Sequence, residues 1–407
     1  MKYVVFLGDG MADYPFKGLG GQTPLDVAHK PHMDEIAQKG ILGLVKTIDD
    51  SLSPGSDVAN LSVMGYDPMK YYTGRSPLEA LSIGVPLSET DVTFRANLVT
   101  LTGEENYEDK TMADYSSGEI TTQESGELIA FLKDKLHFDS LSLYKGISYR
   151  HLLVWDGGST NVTLTPPHDI SDRVIGDYLP KGDGAETLLS LMKQSYELLC
   201  EHPVNLARAE RGLAPANSLW IWGEGRKPAL DSFQEKYGIR GSMISAVDLL
   251  KGIGKGSGMQ VVEVKGATGN IDTNFDGKAQ AAIDELKRGQ EFVYIHVEAP
   301  DECGHHGDAE GKVKAIELID EKIVAPVMAY LESCGEDYRV LLTPDHPTPL
   351  EIKTHARDAV PFAIYDSASK EGLGFTYNER NAKETGVYLD KGYYLMQYLL
   401  HGEIKRD

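Results

Sequence analysis

Four groups of polar residues could share one cation or one reacting group. They are Asp9, the run Asp301-Glu302-Cys303-Gly304-His305-His306, the pair Asp345-His346, and His355. Together they offer a mixed oxygen and nitrogen donor set large enough for two divalent cations. Carboxylate with imidazole suits Mn²⁺ or Zn²⁺ better than Ca²⁺. Taken singly each is ordinary, since an aspartate after a strand commonly closes a turn or caps a helix. A nucleophile is also at hand. In Ser53-Pro54-Gly55-Ser56-Asp57-Val58-Ala59-Asn60, Ser56 falls where a helix is expected to begin. Local sequence alone makes it an N-cap. Helix onset also favours a developing alkoxide, through backbone N–H groups and the helix dipole. Two cations beside such a serine would clamp a phosphoryl group between attacking and leaving oxygens. The chemistry these residues suggest is phosphoryl transfer through a phosphoserine.

The elements that must position them are strands. Tyr3–Leu7, Glu291–Val297 and Arg339–Thr343 are short apolar runs, and each is followed directly by one of the polar groups. His355 precedes a further strand at Val360–Tyr365. Ligands of an open α/β sheet gather at the carboxyl ends of its strands, so residues some 350 positions apart are expected on one rim. Further strands are expected at Ser218–Trp222 and Met259–Val264. Helices are expected at Thr23–Lys39, Asp57–Met64, Ala185–Cys200, Lys278–Arg288, Lys312–Leu331 and Tyr393–Leu400. This alternation predicts an α/β core whose mostly parallel sheet is covered by helices on both faces. Residues 91–180 differ, with alternating runs at Thr93–Leu101, His151–Trp155 and Asn161–Thr165 among loops rich in Gly, Ser and acids. They predict a smaller inserted α+β domain, leaving residues 1–90 and 181–407 as a discontinuous core.

Composition narrows the partners. In 407 residues, 62 acids against 40 Lys and Arg give a formal charge of −22, and no dense basic run occurs. A polyanion-binding protein shows a basic face, so nucleic acid is excluded as a principal partner. An apolar fraction of 41% supports a large core. The odd count of 3 cysteines argues against a disulfide framework. No stretch reaches the ~20 apolar residues of a membrane span. A cytoplasmic enzyme acting on a small metabolite is expected, with no oligomeric state specified.

Gly8-Asp9-Gly10-Met11, Ser56-Asp57-Val58-Ala59-Asn60-Leu61, Gly65-Tyr66-Asp67-Pro68, Asp301-x-x-x-His305, Asp345-His346 and His355 resemble the alkaline phosphatase superfamily. More narrowly, they resemble the archaeal-type 2,3-bisphosphoglycerate-independent phosphoglycerate mutases. Tyr149-Arg150-His151, Pro167-His168-Asp169, Pro215-Ala216-Asn217 to Trp222-Gly223 and Thr268-Gly269 extend the resemblance along essentially the whole chain. It implies an alkaline-phosphatase-like core and interconversion of 3- and 2-phosphoglycerate, a step of glycolysis and gluconeogenesis, with no 2,3-bisphosphoglycerate required. It also implies one metal held by Asp9, Ser56, Asp345 and His346, and another held by Asp301, His305 and His355. Ser56 would accept the phosphoryl group and return it to the other hydroxyl of glycerate.

A mutase must also hold the dephosphorylated intermediate, which calls for cations facing phosphate and carboxylate. The candidates are Arg95, Arg150, His151, His168 and Arg208, with Asp169 binding a hydroxyl or orienting a neighbour. Arg150 and His151 are also candidate catalytic groups. Closure of the inserted domain would exclude water. Competing readings keep the same machinery with another acceptor, such as a homoserine kinase, or let water discharge the serine, as in a phosphomonoesterase. A metal-stabilised binding protein is disfavoured by the complete ligand set with Ser56.

Overall fold

The strand Lys2–Gly8 is the centre from which the first half of the architecture is built. In the computed structural model it lies within an eight-stranded sheet, parallel to Phe292–Val297 on one side and to Tyr338–Thr343 on the other. Gly241–Ile244 and Gln260–Val262 continue the parallel arrangement beyond Phe292–Val297. Beyond Tyr338–Thr343 comes Val360–Asp366, antiparallel to both neighbours, then Ile41–Val45 and Tyr388–Leu389. The structure describes residues 1–369 and 372–402. Positions 370–371 and 403–407 of the expected core range lie outside them.

The central strands are apolar on both faces because both faces are covered. Val4, Phe6, Val293, Ile295, Val340 and Leu342 share one core with Met33, Ile36, Ala279, Ala282, Ala315 and Ile316 of three helices, Pro31–Lys39, Phe275–Lys287 and Ala309–Ile319. The alternate residues Val5, Leu7, Tyr294 and Leu341 are also buried, with Ser56–Val63, Asp248–Gly256 and Tyr394–His401 among the remaining helices. The helix expected over Thr23–Lys39 is two, Pro24–Val27 and Pro31–Lys39. Pro31 is the reason: it disfavours helical backbone at the preceding residue, and Lys30 sits at φ −137°, ψ 58°.

The chain divides into two compact units, Met1–Tyr72 with Ala229–Asp407, and Thr73–Pro228. The second unit extends beyond the expected 91–180 at both ends. Its five-stranded antiparallel sheet explains why. The strand Val92–Leu101 pairs with Arg150–Trp155 and also with Ser218–Arg226, which includes the strand Ser218–Trp222 expected in the core. The helices Thr122–Lys135 and Ala185–Leu199 bury Leu128, Ile129, Leu132, Leu188 and Leu191 against one side of this sheet. On the other side Ser76–Ser82 brings Ala80 to Leu152 and Val154. Val360–Asp366, expected in a mostly parallel sheet, is an antiparallel member of it.

Candidate active site

Three neighbouring parallel strands end at one rim, and the acids follow shortly after their ends. Asp9 follows Lys2–Gly8, Asp345 follows Tyr338–Thr343, and Asp301 sits in the helix Ala299–His306 just after Phe292–Val297. Val360–Asp366 runs the opposite way, so the loop carrying His355 reaches the same rim before that strand begins. Val45 pairs with Val360 there, and Ser56 comes eleven residues later on the chain.

The donor atoms of Asp9, Asp345 and His346 all lie within 4.8 Å of one another, and so do those of Asp301, His346 and His355. His305 joins the second group: its Nε2 is 3.0 Å from His355 Nε2 and 3.2 Å from Asp301 Oδ2. The i,i+4 spacing on Ala299–His306 places His305 over Asp301. His346 stands between the groups. Its Nε2 is 3.4 Å from both Asp9 Oδ1 and Asp345 Oδ2, and 3.1 Å from Ser56 Oγ.

Ser56 is not an N-cap. Gly55 holds that place, Ser56 is the first helical residue, and its hydroxyl rests on His346. Gly10 has φ +60°, and a Cβ there would lie 2.5 Å from Thr348 Oγ1 and 2.6 Å from Asp301 Oδ1. That position needs glycine twice over, for its backbone and for its space.

The electrostatics of the rim favour a cation. Asp9, Asp345 and His346 are almost wholly buried, and Asp9 Oδ1 has no hydrogen-bond partner. Burial pushes the Asp9 carboxyl well up, and the charges of Asp345, Asp301 and Glu298 push the same way. Burial also lowers the His346 pKa, favouring the neutral imidazole that a metal ion requires. Asp301 would be raised by burial too, but hydrogen bonds to His305 and His355 hold it below the usual carboxylate range. Its hydrogen bond raises His305 to about 9. Crowded carboxylates, an orphaned oxygen and converging imidazole nitrogens are what a divalent ion relieves.

Around these donors stand residues that sequence reasoning missed. His296 Nε2 lies 2.9 Å from Asp9 Oδ2, and its Nδ1 lies 3.1 Å from Ser245 Oγ. Asn60 Nδ2 donates to Asp345 Oδ2 at 2.8 Å and to Ser56 O at 2.8 Å, and Asn60 Oδ1 accepts from Tyr294 OH at 2.7 Å. The Thr348 hydroxyl donates to Asp301 Oδ1. Asn60 was findable, since it lies one helical turn after Ser56. His296, a lone imidazole in the buried strand Phe292–Val297, was a weaker signal.

In the second unit the expected substrate-binding residues separate. Arg95 pairs in register with Leu152, and Asn97 with Arg150, so Arg95 and Arg150 face one side of their sheet. Arg95 lies over the Trp222 ring at 4.4 Å, and His168 meets Trp222 edge-on at 5.3 Å. Tyr115 links His168 to Tyr149, over which Arg150 stands at 5.7 Å. Burial lowers the Arg95 pKa, Glu79 at 3.2 Å from Arg95 Nε opposes this, and Arg75 and Arg150 add to it, so the patch holds several arginines with Glu79 among them. Asp169 flanks it, 3.7 Å from His168.

His151 and Arg208 stand apart from this patch. His151 alternates to the opposite side of its strand, where it is buried and its Nδ1 accepts from Gly146 N at 3.0 Å. Arg208 is 2% exposed and spent internally, on Ala214 O at 2.9 Å, Glu124 at 2.7 Å and Ser117 O at 2.6 Å. Trp222, Asn97, Tyr115 and Tyr149 were not foreseen in the patch.

An open α/β unit carrying two Asp/His clusters beside a serine defines the class, a domain built for chemistry at the carboxyl ends of its strands. Residues 37–205 match the family described as 2,3-bisphosphoglycerate-independent phosphoglycerate mutase. The chain is 50% identical to the probable 2,3-bisphosphoglycerate-independent phosphoglycerate mutase of Geobacter sulfurreducens, over 98% of this chain and 100% of that one. It is also 50% identical to the mutase of that name from Methanothrix thermoacetophila, over 99% and 100%. Among solved structures, the PH0037 protein from Pyrococcus horikoshii superposes with a TM-score of 0.84 at 29% identity, over 100% of this chain and 99% of that one. The cofactor-independent phosphoglycerate mutase from Thermoplasma acidophilum gives 0.69 at 25%, over 98% and 99%. The chain belongs to the 2,3-bisphosphoglycerate-independent phosphoglycerate mutase family.

Proposed function

We propose that this chain is an isomerase that interconverts 3-phosphoglycerate and 2-phosphoglycerate by moving the phosphoryl group onto Ser56 and back, without 2,3-bisphosphoglycerate. The observation that carries this reading is the Ser56 hydroxyl, left free of capping and resting on His346 where the two clusters meet. Asp9, Ser56, Asp345 and His346 would hold one divalent ion, and Asp301, His305 and His355 the other, Mn²⁺ or Zn²⁺ by the chemistry of the donors. Ions bound there supply positive charge that favours ionising a serine hydroxyl and gathering negative charge on a transferring phosphoryl group.

The chain's own part is positional. Ser56 Oγ forms its bond to phosphorus as the substrate's oxygen–phosphorus bond breaks, and the neighbouring hydroxyl of the retained glycerate then takes the group back. Asn60 and His296 fix the carboxylates of Asp345 and Asp9. Arg95, Arg150 and His168, with Asp169, recognise the phosphate and carboxylate. His151 and Arg208 have structural parts in this scheme. A cytoplasmic setting belongs to the same proposal, supported by three cysteines that are all free thiols. Among the described residues no helix is long and apolar enough to cross a membrane.

The test is conversion of 3-phosphoglycerate by Mn²⁺-loaded protein, coupled to enolase, with 2,3-bisphosphoglycerate left out. Turnover should vanish on chelation and fall at least ~10³-fold in Ser56→Ala. Undiminished turnover in that variant rules out the phosphoserine route.

A further inference from the structure

Thr348 occupies a junction that the proposed reaction does not by itself explain. Its side chain is fully buried. Its hydroxyl donates to Asp301 Oδ1, and the same oxygen stands 3.3 Å from His346 Nδ1. A hydroxyl has a single hydrogen, and an ionised carboxylate can only accept. With that hydrogen on Asp301, the Thr348 oxygen can meet His346 only as an acceptor, so His346 carries its proton on Nδ1. Pro347 O, also 3.3 Å from Nδ1, asks for the same tautomer. His346 Nε2 is then bare and faces Ser56 and the carboxylates.

The residue is itself held from behind. Lys312 Nζ donates to Thr348 O at 2.8 Å, to Asp13 Oδ2 at 2.7 Å and to Ala12 O at 3.3 Å. Leu350 N reaches both oxygens of Asp13 at 3.2 Å. Lys312 is 0% exposed and Asp13 6%. A buried ion pair therefore ties the loop after Lys2–Gly8 to the loop after Tyr338–Thr343. Thr348 carries that rigidity to Asp301, and Gly10, by lacking a Cβ, leaves the hydroxyl the space it fills beside Asp301.

We propose that Thr348 is a positioning residue whose hydroxyl orients Asp301, so that cation affinity at Asp301, His305 and His355 depends on a side chain that touches no cation. The inference rests on the two-cation reading given above. Partners of metal-ligating groups are worth ~10–100-fold in affinity. The loss should fall on the Asp301 group, because His346 keeps Pro347 O as an acceptor when the hydroxyl is removed.

Mn²⁺ is titrated into the chelator-stripped full chain by calorimetry, with free Mn²⁺ followed by paramagnetic resonance and thermal melts run in parallel. The parent should take up two ions. Thr348→Val, of the same shape, should keep one at parent affinity and bind the other ~10–100-fold more weakly. Thr348→Ser, which restores the hydroxyl, should return to within a few-fold of the parent. If the valine variant does not fold, Thr348→Ala makes the same comparison. Two ions bound at parent affinity by the variants lacking the hydroxyl overturn the inference, whatever happens to the melting temperature. A parent that takes up fewer than two ions overturns the two-cation reading and this inference with it, and that result is visible before any variant is made.

Discussion

Arg150 and His151 are adjacent in sequence and opposite in circumstance, and both can be tested. Arg150 stands in the patch of arginines, so Arg150→Ala should raise KM for 3-phosphoglycerate at least ~10-fold while bound Mn²⁺ is unchanged. Equal KM would remove it from recognition. His151 is held to about 3 by burial, with Lys145 adding to the effect, so it is neutral in the fold. Its folded pKa lies below the ordinary 6.5, so the unfolded chain takes up the proton first. Stability from this group is therefore whole above pH ~6.5 and falls on acidification toward pH ~3, by at most ~1.4 kcal/mol per unit. His151→Asn keeps an acceptor for Gly146 N–H and does not titrate. Urea midpoints at pH 7 and 5 should move less in the variant than in the parent. At the rim, Asp301→Ala should leave fewer than two Mn²⁺ equivalents after dialysis, and full occupancy would dismiss Asp301 as a ligand. The polar rim was legible because metal donors are chemically conspicuous. Arg208 was not, because its partner Glu124 lies 84 residues away and only the fold brings them together.

At the scale of elements, the rim exists because Phe292–Val297, Lys2–Gly8 and Tyr338–Thr343 are consecutive in the sheet and parallel. Each is a short apolar run with an acid of the rim a few residues beyond its end, which makes all three readable. Ile41–Val45 and Gly241–Ile244 escaped notice, the first interrupted by Gly43 and the second only four residues long. Periodicity has little to work on in such runs. Ser218–Arg226 was recognised as a strand over part of its length, but its place beside Val92–Leu101 is set by partners far away in sequence. The antiparallel run of Val360–Asp366 was equally non-local. The tight turn after Lys2–Gly8 gives the prediction of this scale. Gly10→Ala would force a Cβ into left-handed backbone at ~1–2 kcal/mol and push it onto Thr348 and Asp301. The variant should melt several degrees lower and lose at least one Mn²⁺ equivalent. Parent-like melting and metal content would show that the turn yields.

For the whole molecule, the division at Tyr72/Thr73 and Pro228/Ala229 matters more than the formal charge of −22, which speaks only to solubility. The segment Thr73–Pro228 has its own sheet and its own core, with Phe94, Leu98, Leu153 and Trp220 buried among the two helices. Expressed alone, it should fold with native-like circular dichroism and a cooperative melt indifferent to chelators. A chelator-sensitive melt of the isolated segment would contradict that independence. The expected bounds 91–180 fall inside this segment, because its closing strand Ser218–Arg226 reads like any other α/β strand. The two ends of the segment are neighbours: Thr73 Oγ1 donates to Arg226 O at 2.5 Å, and Gly74 abuts Glu224 O. A piece of chain that departs and returns through touching residues behaves as a detachable cassette. Evolution can lengthen it, shorten it or exchange it without shifting any strand of the host.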